Sequence, residues 1–300
     1  MTETFNLYPL HLFRLVARCG SVTRAAQELS ISQPAVSTHI KALEARCGEA
    51  LFERTPRGMI LTPTGVLVAE RANRLFAELE DIDQAVKAAR GQVRGEIRIA
   101  ASSTPGAYLL PGLLKRFRAR FPAAEPTLIV GDSAETMARL LDYQVPLGVL
   151  GDMPGMAIAG VLRRKRIAVD ELRLMAAPDS PLHRIETLTG AHLRSQTLLL
   201  REKGSSTRAG AEAMLSGWMD QFERIAEITS AEALKEAVIA GLGIAVLSSW
   251  ATRREEQAGV LKPVRHTRFR LERPFYLVHR ADRPPVGAAS ILWQFLQTEA

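Results

Sequence analysis

Between Val22 and Leu43 the apolar residues fall at helical spacing in two short blocks separated by a polar break. Val22, Ala25, Ala26 and Leu29 mark the inner face of one short helix, which Ser21 opens as N-cap. Val36, Ile40 and Leu43 mark a second, capped by Ser32, with Pro34 in its first turn, where a missing N–H costs little. Ser30-Ile31-Ser32 makes the turn, Ile31 plugs the space between the helices, and Ala26 is small enough for them to approach closely. Two helices joined by a three-residue turn form a helix-turn-helix, whose second helix enters the major groove of DNA. Gln33, Ser37, Thr38 and Lys41 then project outward. Gln, Ser, Thr and His side chains exchange hydrogen bonds with base edges, while Ser21, Thr23, Arg24 and Lys41 are candidates for phosphate contacts. Two short apolar arms around Pro56-Arg57-Gly58 read as a wing that offers Arg54 and Arg57 to the backbone or minor groove. The alternative is a small helical bundle with a polar face. The succession of hairpin, wing and long helix favours the DNA reading.

That long helix is capped by Thr62, begins at Pro63 and ends at Gly91, with no glycine between Gly65 and Gly91. Val68, Ala72, Leu75, Leu79, Ile82 and Val86 recur along it at spacings of 4, 3, 4, 3 and 4. This heptad strip predicts a dimerisation seam through Leu75, Leu79, Ile82 and Val86, against the alternative of packing on its own domain. Gly91-Gln92-Val93-Arg94-Gly95 reads as a hinge. Beyond it, short apolar runs alternate with helical ones, the signature of an α/β domain. Strands are expected over Ile97–Ala101, Thr127–Val130, Leu147–Leu150, Leu172–Ala176, Thr197–Leu200, Ile244–Leu247 and Phe275–Val278. Helices are expected near 106–120, 133–142, 207–219, 231–240 and 285–297.

Open α/β sheets bind small molecules at strand ends. Ser102, Ser103 and Thr104 follow the first strand and open a helix, where free N–H groups and hydroxyls suit an anion. Arg201-Glu202-Lys203-Gly204-Ser205-Ser206-Thr207-Arg208 repeats that arrangement with cations added, so a carboxylate, sulfur oxyanion or phosphate fits. Gly131-Asp132-Ser133 and Gly241-Leu242-Gly243-Ile244 are further candidates. Each has a plainer reading: Ser102 and Ser205 as helix caps, Gly241 and Gly243 as a helix stop. The run Arg163-Arg164-Lys165-Arg166 reads as a solvated face, or as a joint between lobes or subunits.

The net charge of +7 points to an acidic partner, but its distribution blunts that argument. Residues 1–90 hold 11 Lys/Arg against 10 Asp/Glu, leaving 28 against 22 in the rest of the chain. The DNA assignment therefore rests on the motif. Two cysteines, Cys19 and Cys47, make no disulfide framework and are expected as reduced, buried small hydrophobes. Residues 1–4 begin no signal-peptide pattern, and no apolar stretch approaches the roughly 18 residues of a membrane span, so the expected location is the cytoplasm. No Gly-x-Ser-x-Gly elbow, Walker loop, His-Glu-x-x-His or Cys-x-x-Cys occurs, and the six histidines show no metal-ligand spacing. No cofactor, metal or catalytic residue is expected. The rivals are an enzyme that acquired a DNA-binding domain and a purely architectural DNA-binding protein.

Residues 5–95 resemble the LysR-type transcriptional regulators. The matching text is Leu12-Phe13, Ser21-Val22-Thr23-Arg24-Ala25-Ala26, Ser32-Gln33-Pro34-Ala35-Val36-Ser37, Phe52-Glu53-Arg54 and Leu61-Thr62-Pro63-Thr64-Gly65. The family often carries Arg-Gln after the serine of the recognition helix; here Thr38-His39 stand there, which bears on the bases preferred rather than on the binding mode. His39 is read as a phosphate contact or as an exposed helix residue. The resemblance implies an α+β multidomain protein: winged helix-turn-helix 1–62, linker and dimerisation helix 63–90, hinge 91–95, and effector-binding domain 96–300. That last domain would be two-lobed and similar to periplasmic solute-binding proteins, with lobe I over 96–165 and 267–300 and lobe II over 166–266. In the family, positions matching Ser102, Thr104 and Thr207 commonly line the effector cleft, and Ser103, Ser133, Arg201, Ser205 and Ser206 join them as candidates. The implied partners are double-stranded promoter DNA, a small anionic effector, a second copy of the chain with dimers pairing into tetramers, and RNA polymerase.

Overall fold

A computed structural model describes residues 6–56, 58–89, 93–152, 160–266 and 269–300. The chain divides into two compact units, one over Met1–Asp83 with Asp142–Gln144 and one over the remainder.

The first unit begins with helices α1 (Leu7–Cys19), α2 (Val22–Glu28) and α3 (Gln33–Cys47). Each start is capped as its sequence dictates. Asn6 Oδ1 accepts from Tyr8 N, Ser21 Oγ from Arg24 N and Ser32 Oγ from Ala35 N, satisfying N–H groups that have no partner inside the helix. Leu12, Phe13, Val16, Ala25 and Val36 are fully buried, and Ile40, Leu43 and Leu51 complete the core, with Ile31 packed against it. Strands β1 (Phe52–Thr55) and β2 (Gly58–Leu61) form an antiparallel hairpin, the wing. It is tied to the helices by Met59 N donating to Gly20 O at 2.9 Å. Gly58 is required there: its φ is +125° and a Cβ would lie 2.5 Å from Gly20 O. Helix α4 (Pro63–Ala89) follows, with Thr62 Oγ1 accepting from Gly65 N. Its strip divides along its length. Ala72 is buried and Val68 half-buried in the unit's core, whereas Leu75, Leu79, Ile82 and Val86 are 38–61% exposed. Cys19 is half-buried and Cys47 exposed at the end of α3, so Cys47 is not the buried hydrophobe expected.

The second unit is built on one mixed sheet of nine strands among the described residues. In chain order its elements are β3 (Gly95–Ser102), a helical turn over Pro105–Leu109, α5 (Leu110–Arg120), β4 (Ala124–Gly131), α6 (Ser133–Leu141), β5 (Leu147–Gly151) and β6 (Leu162–Ala176). Then come α7 (Gly190–Arg194), β7 (Thr197–Leu200), α8 (Ser206–Met214), β8 (Arg224–Glu227), α9 (Ala231–Ile239) and β9 (Ile244–Ser248). The chain closes with α10 (Ser249–Gln257), β10 (Lys262–Pro263), β11 (Arg270–Arg280) and α11 (Gly287–Glu299). The strand order is β4-β3-β5-β11-β6-β9-β7-β8, with β10 beside β6. β3 runs parallel to β4 and β5, and β7 parallel to β8 and β9, so each half of the sheet holds a small parallel α/β layer whose outermost strand is the more exposed. The antiparallel pair β6 and β11 belongs to both halves. Ile167, Phe275 and Leu277 pack into the core of the first half with Ile99, Leu110, Phe117 and Leu292. Leu172, Leu174, Phe269 and Leu271 pack into that of the second with Leu198, Leu215 and Val246. The change of core falls between Ala168 and Leu172 on β6 and between Leu271 and Phe275 on β11. The basic run 163–166, expected as a solvated face or joint, is the exposed first part of β6. Of the hinge residues, Gly91 and Gln92 lie outside the described residues, and Gly95 already begins β3.

Candidate functional site

The first candidate surface lies on α2, α3 and the wing. With Val36, Ile40 and Leu43 turned inward, Gln33, Pro34, Thr38 and Lys41 are exposed on the opposite side of α3 and Ser37 is half-buried. The pattern of apolar residues therefore sets which polar groups a duplex would meet. Ser21 and Ser32 use their hydroxyls as caps, and Thr38 Oγ1 donates to Pro34 O at 2.9 Å. His39 is half-buried and meets the ring of Tyr8 edge-on at 5.0 Å, so it packs against α1 rather than standing free as an exposed helix residue. Thr23 and Arg24 are exposed on α2, and Arg24 Nη2 donates to Cys19 O. A pocket of about 220 Å³ is lined by Ser21, Gln33 and Arg54 with Thr55, Gly58 and Met59, which brings a helix start, the first residue of α3 and a wing cation together. Arg57 lies outside the described residues.

The second candidate site is where the two halves of the sheet meet. Ser102 ends β3 opposite Gly131 at the end of β4, so Ser102 and Ser133 sit at neighbouring strand ends. Both are buried, 3% and 1% exposed, and neither Oγ has a hydrogen-bond partner among the described residues. Water-deprived hydroxyls without partners are uncommon in folded proteins and mark places where a ligand or ordered water completes the bonding. From the other half, the segment between β7 and α8 supplies Arg201, Ser205, Ser206 and Thr207, all buried. Two contacts join these groups across the halves. Arg201 Nη1 donates to Ser103 Oγ at 3.3 Å, and Ala134 N donates to Gly204 O at 3.2 Å. Gly204 has φ +101°, and a Cβ there would reach 3.0 Å from Ala134. The eight residues expected from sequence thus gather from three chain segments, with Thr104 buried beside Ser103. The Gly241–Ile244 candidate does not join them: Gly241, at φ +75°, is the stop after α9.

A buried ionic cluster lies at the same crossing. Asp170 on β6 is fully buried and Arg273 on β11 is 4% exposed. Arg273 Nε and Nη2 contact Asp170 Oδ2 at 2.9 and 2.8 Å, and its Nη1 donates to Ser206 Oγ at 3.1 Å. Ser248 Oγ donates to Asp170 Oδ1 at 2.7 Å. Burial pulls the Arg273 guanidinium below the usual arginine range, and Asp170 opposes that pull. Neither Asp170 nor Arg273 was singled out by sequence, because each is a lone charge among strand residues and its partner is about a hundred positions away. Among the described residues no three His, Cys, Asp or Glu side chains are grouped to hold a metal, and no helix is long and apolar enough to cross a membrane.

Residues 7–66 match the bacterial regulatory helix-turn-helix protein family, lysR type, and residues 90–300 match the LysR substrate binding domain. The chain belongs to the LysR family. Similar proteins include the uncharacterized regulator YeiE of Escherichia coli K12, 34% identical over 93% of this chain and 92% of that one. The regulator CbbR of Sinorhizobium medicae is 32% identical over 97% and 92%. Among solved structures, full-length OxyR from Pseudomonas aeruginosa aligns with TM-score 0.71 and 21% identity, covering 99% of this chain and 94% of that one. CbnR, solved with its target DNA, aligns with TM-score 0.65 and 24% identity over 99% and 100%. The regulatory domain of CcmR from Synechocystis PCC6803, solved in complex with 2-PG, aligns with TM-score 0.61 and 24% identity over 68% and 97%. This LysR regulator therefore has the fold expected from its sequence, and it belongs to a family of DNA-binding transcriptional regulators rather than enzymes.

Proposed function

We propose that this LysR regulator binds promoter DNA as a dimer, through α3 and the wing, and adjusts that binding when a small anion enters the crossing between the halves of its C-terminal sheet. Gln33, Ser37, Thr38 and Lys41 would face base edges and phosphates, with Arg54 and Arg57 on the flanking backbone. His39 would act through Tyr8. Leu75, Leu79, Ile82 and Val86 would form the dimer seam, with dimers pairing into tetramers and RNA polymerase as the recipient of the signal. The protein would work in the cytoplasm. The observation that carries the effector reading is the pair of buried, unpartnered hydroxyls of Ser102 and Ser133 beside Arg201. One relative, the RuBisCO operon transcriptional regulator of Allochromatium vinosum, 32% identical over 98% of this chain and 96% of that one, and the CcmR domain solved with 2-PG make a small phosphorylated acid the first class to test.

The test uses purified full-length protein, a library of double-stranded promoter fragments and a thermal-shift panel of small anions. One fragment should be retained over bulk competitor at moderate salt. An anion that binds only the folded state should raise Tm, and the rise should shrink in Ser102→Ala and Thr207→Ala while DNA binding persists. Retention of no fragment overturns the regulator assignment for this chain. Equal Tm gains in both variants would remove those residues from the site.

A further inference from the structure

Arg201 carries the positive charge of the effector site, and its guanidinium already holds an anion. Glu202, the next residue, places its two carboxylate oxygens on Nε at 2.8 Å and on Nη2 at 2.6 Å. This two-pronged fit of a planar carboxylate on the side of a guanidinium is the geometry by which arginine takes carboxylate and phosphate ligands. The third nitrogen, Nη1, is spent on Ser103 Oγ from the opposite half. The Arg201 side chain is 5% exposed and that of Glu202 17%, so the arginine is closed to water and the glutamate is the more accessible member of a largely buried pair. Of the neighbouring arginines, Arg273 is committed to Asp170 and Ser206, and Arg208 to Glu212, Glu227 and the Arg201 carbonyl, while Lys203 is exposed.

We propose that Glu202 is an internal competitor for the effector: its carboxylate occupies the anion seat of Arg201, and an anionic ligand binds by displacing it. This rests on the reading of the crossing as the effector site and adds how that site is regulated. The ligand is then selected for a group that out-competes a tethered carboxylate. A phosphate or sulfur oxyanion, with more charge or more acceptor oxygens and with Ser102 and Ser133 to fill, does so better than a lone carboxylate does. Glu202 is a positioning residue. It acts on affinity through Arg201 and need not touch the ligand. The contact also joins displacement to a signal, because Arg201 is the group that bridges to Ser103.

Calorimetric titration of the full-length protein with inorganic phosphate and with 2-PG tests this, using Glu202→Gln, which keeps the shape and removes the charge. Glu202→Asp, which keeps the charge and shortens the arm, serves as second variant should the first fold poorly. Phosphate should bind E202Q about tenfold tighter than wild type, the size expected when a charge-assisted competitor is weakened. E202D should lie between the two. Glycolamide, an uncharged control, should gain nothing, and adding Arg201→Gln to E202Q should abolish the gain. Equal phosphate and 2-PG affinities in wild type and both variants overturn the competitor role and leave the anion site standing. A gain that extends to glycolamide overturns it as well, since a loosened cleft would produce that. Absence of anion binding by every form overturns the effector reading itself and this proposal with it.

Discussion

Replacing Arg273 by methionine isolates the energetics of the crossing. The substitution keeps the length of the aliphatic stem and leaves Asp170, which is fully buried, with Ser248 as its remaining partner. A buried carboxylate stripped of its counter-ion costs about 3–5 kcal/mol, a fall in Tm on the order of 10 °C for a domain of this size. Ser206 loses a donor at the same time, which adds about 1 kcal/mol, an ordinary hydrogen bond's worth. The double replacement Asp170→Leu with Arg273→Met removes both charges and the desolvation they carry. It should recover most of the loss, because the penalty comes from the orphaned charge rather than from a missing attraction. Urea unfolding followed by circular dichroism, with the midpoint and slope fitted for wild type, both singles and the double, reads this directly. A single R273M loss below about 1 kcal/mol, or a double variant as costly as the two singles together, would refute the reasoning.

Three further outcomes follow from other parts of the chain. Leu79→Asp places a charge in the exposed strip of α4 and should convert a dimer to monomers in sedimentation velocity; an unchanged sedimentation coefficient would remove the seam. Gly58→Ala forces a side chain into a left-handed conformation 2.5 Å from Gly20 O, so it should cost about 1–3 kcal/mol and weaken DNA retention. Wild-type DNA retention and Tm would contradict it. Burial first, and then Arg14, hold His11 below the ordinary histidine range, so the folded state favours the neutral ring. Its contribution to stability is present above about pH 6.5 and is lost as pH falls through the depressed value. Melting curves of wild type and His11→Asn should therefore converge on acidification, and parallel curves would argue against the assignment.

How legible each element was follows from how local its cause is. The helices of the first unit could be read because caps, a proline in a first turn and apolar residues three and four apart are all written within one turn of chain. The strip on α4 was visible by its period, but its division was not. Ala72 and Val68 pack into the core of the helices that precede them, a contact that the period of α4 alone does not specify, which leaves the strip uncovered from Leu75 onward. Strands with apolar runs, such as Thr197–Leu200, were found. The start of β6 was not, because Arg163–Arg166 break the alternation, and β8, Arg-Ile-Ala-Glu, is exposed throughout. Helix α10 escaped for the same reason, with Thr252 as its one buried residue. The effector candidates were recognisable as hydroxyls and cations at strand ends. The Asp170–Arg273 pair and the seat of Glu202 on Arg201 depend on where folded strands deliver their side chains.

Two strands, β6 and β11, are common to both halves of the C-terminal sheet and paired with each other along their length, with one extra residue, Ile167 of β6, opposite the Phe275–Tyr276 step. A pair of crossing strands joined in this way resists free pivoting. Turning one half against the other has to be absorbed as twist distributed along an unbroken ladder, and the irregular register is the softest place for it. The sensing half of the molecule is accordingly built for small torsional adjustments that both halves feel at once, and not for the wide opening of a jaw.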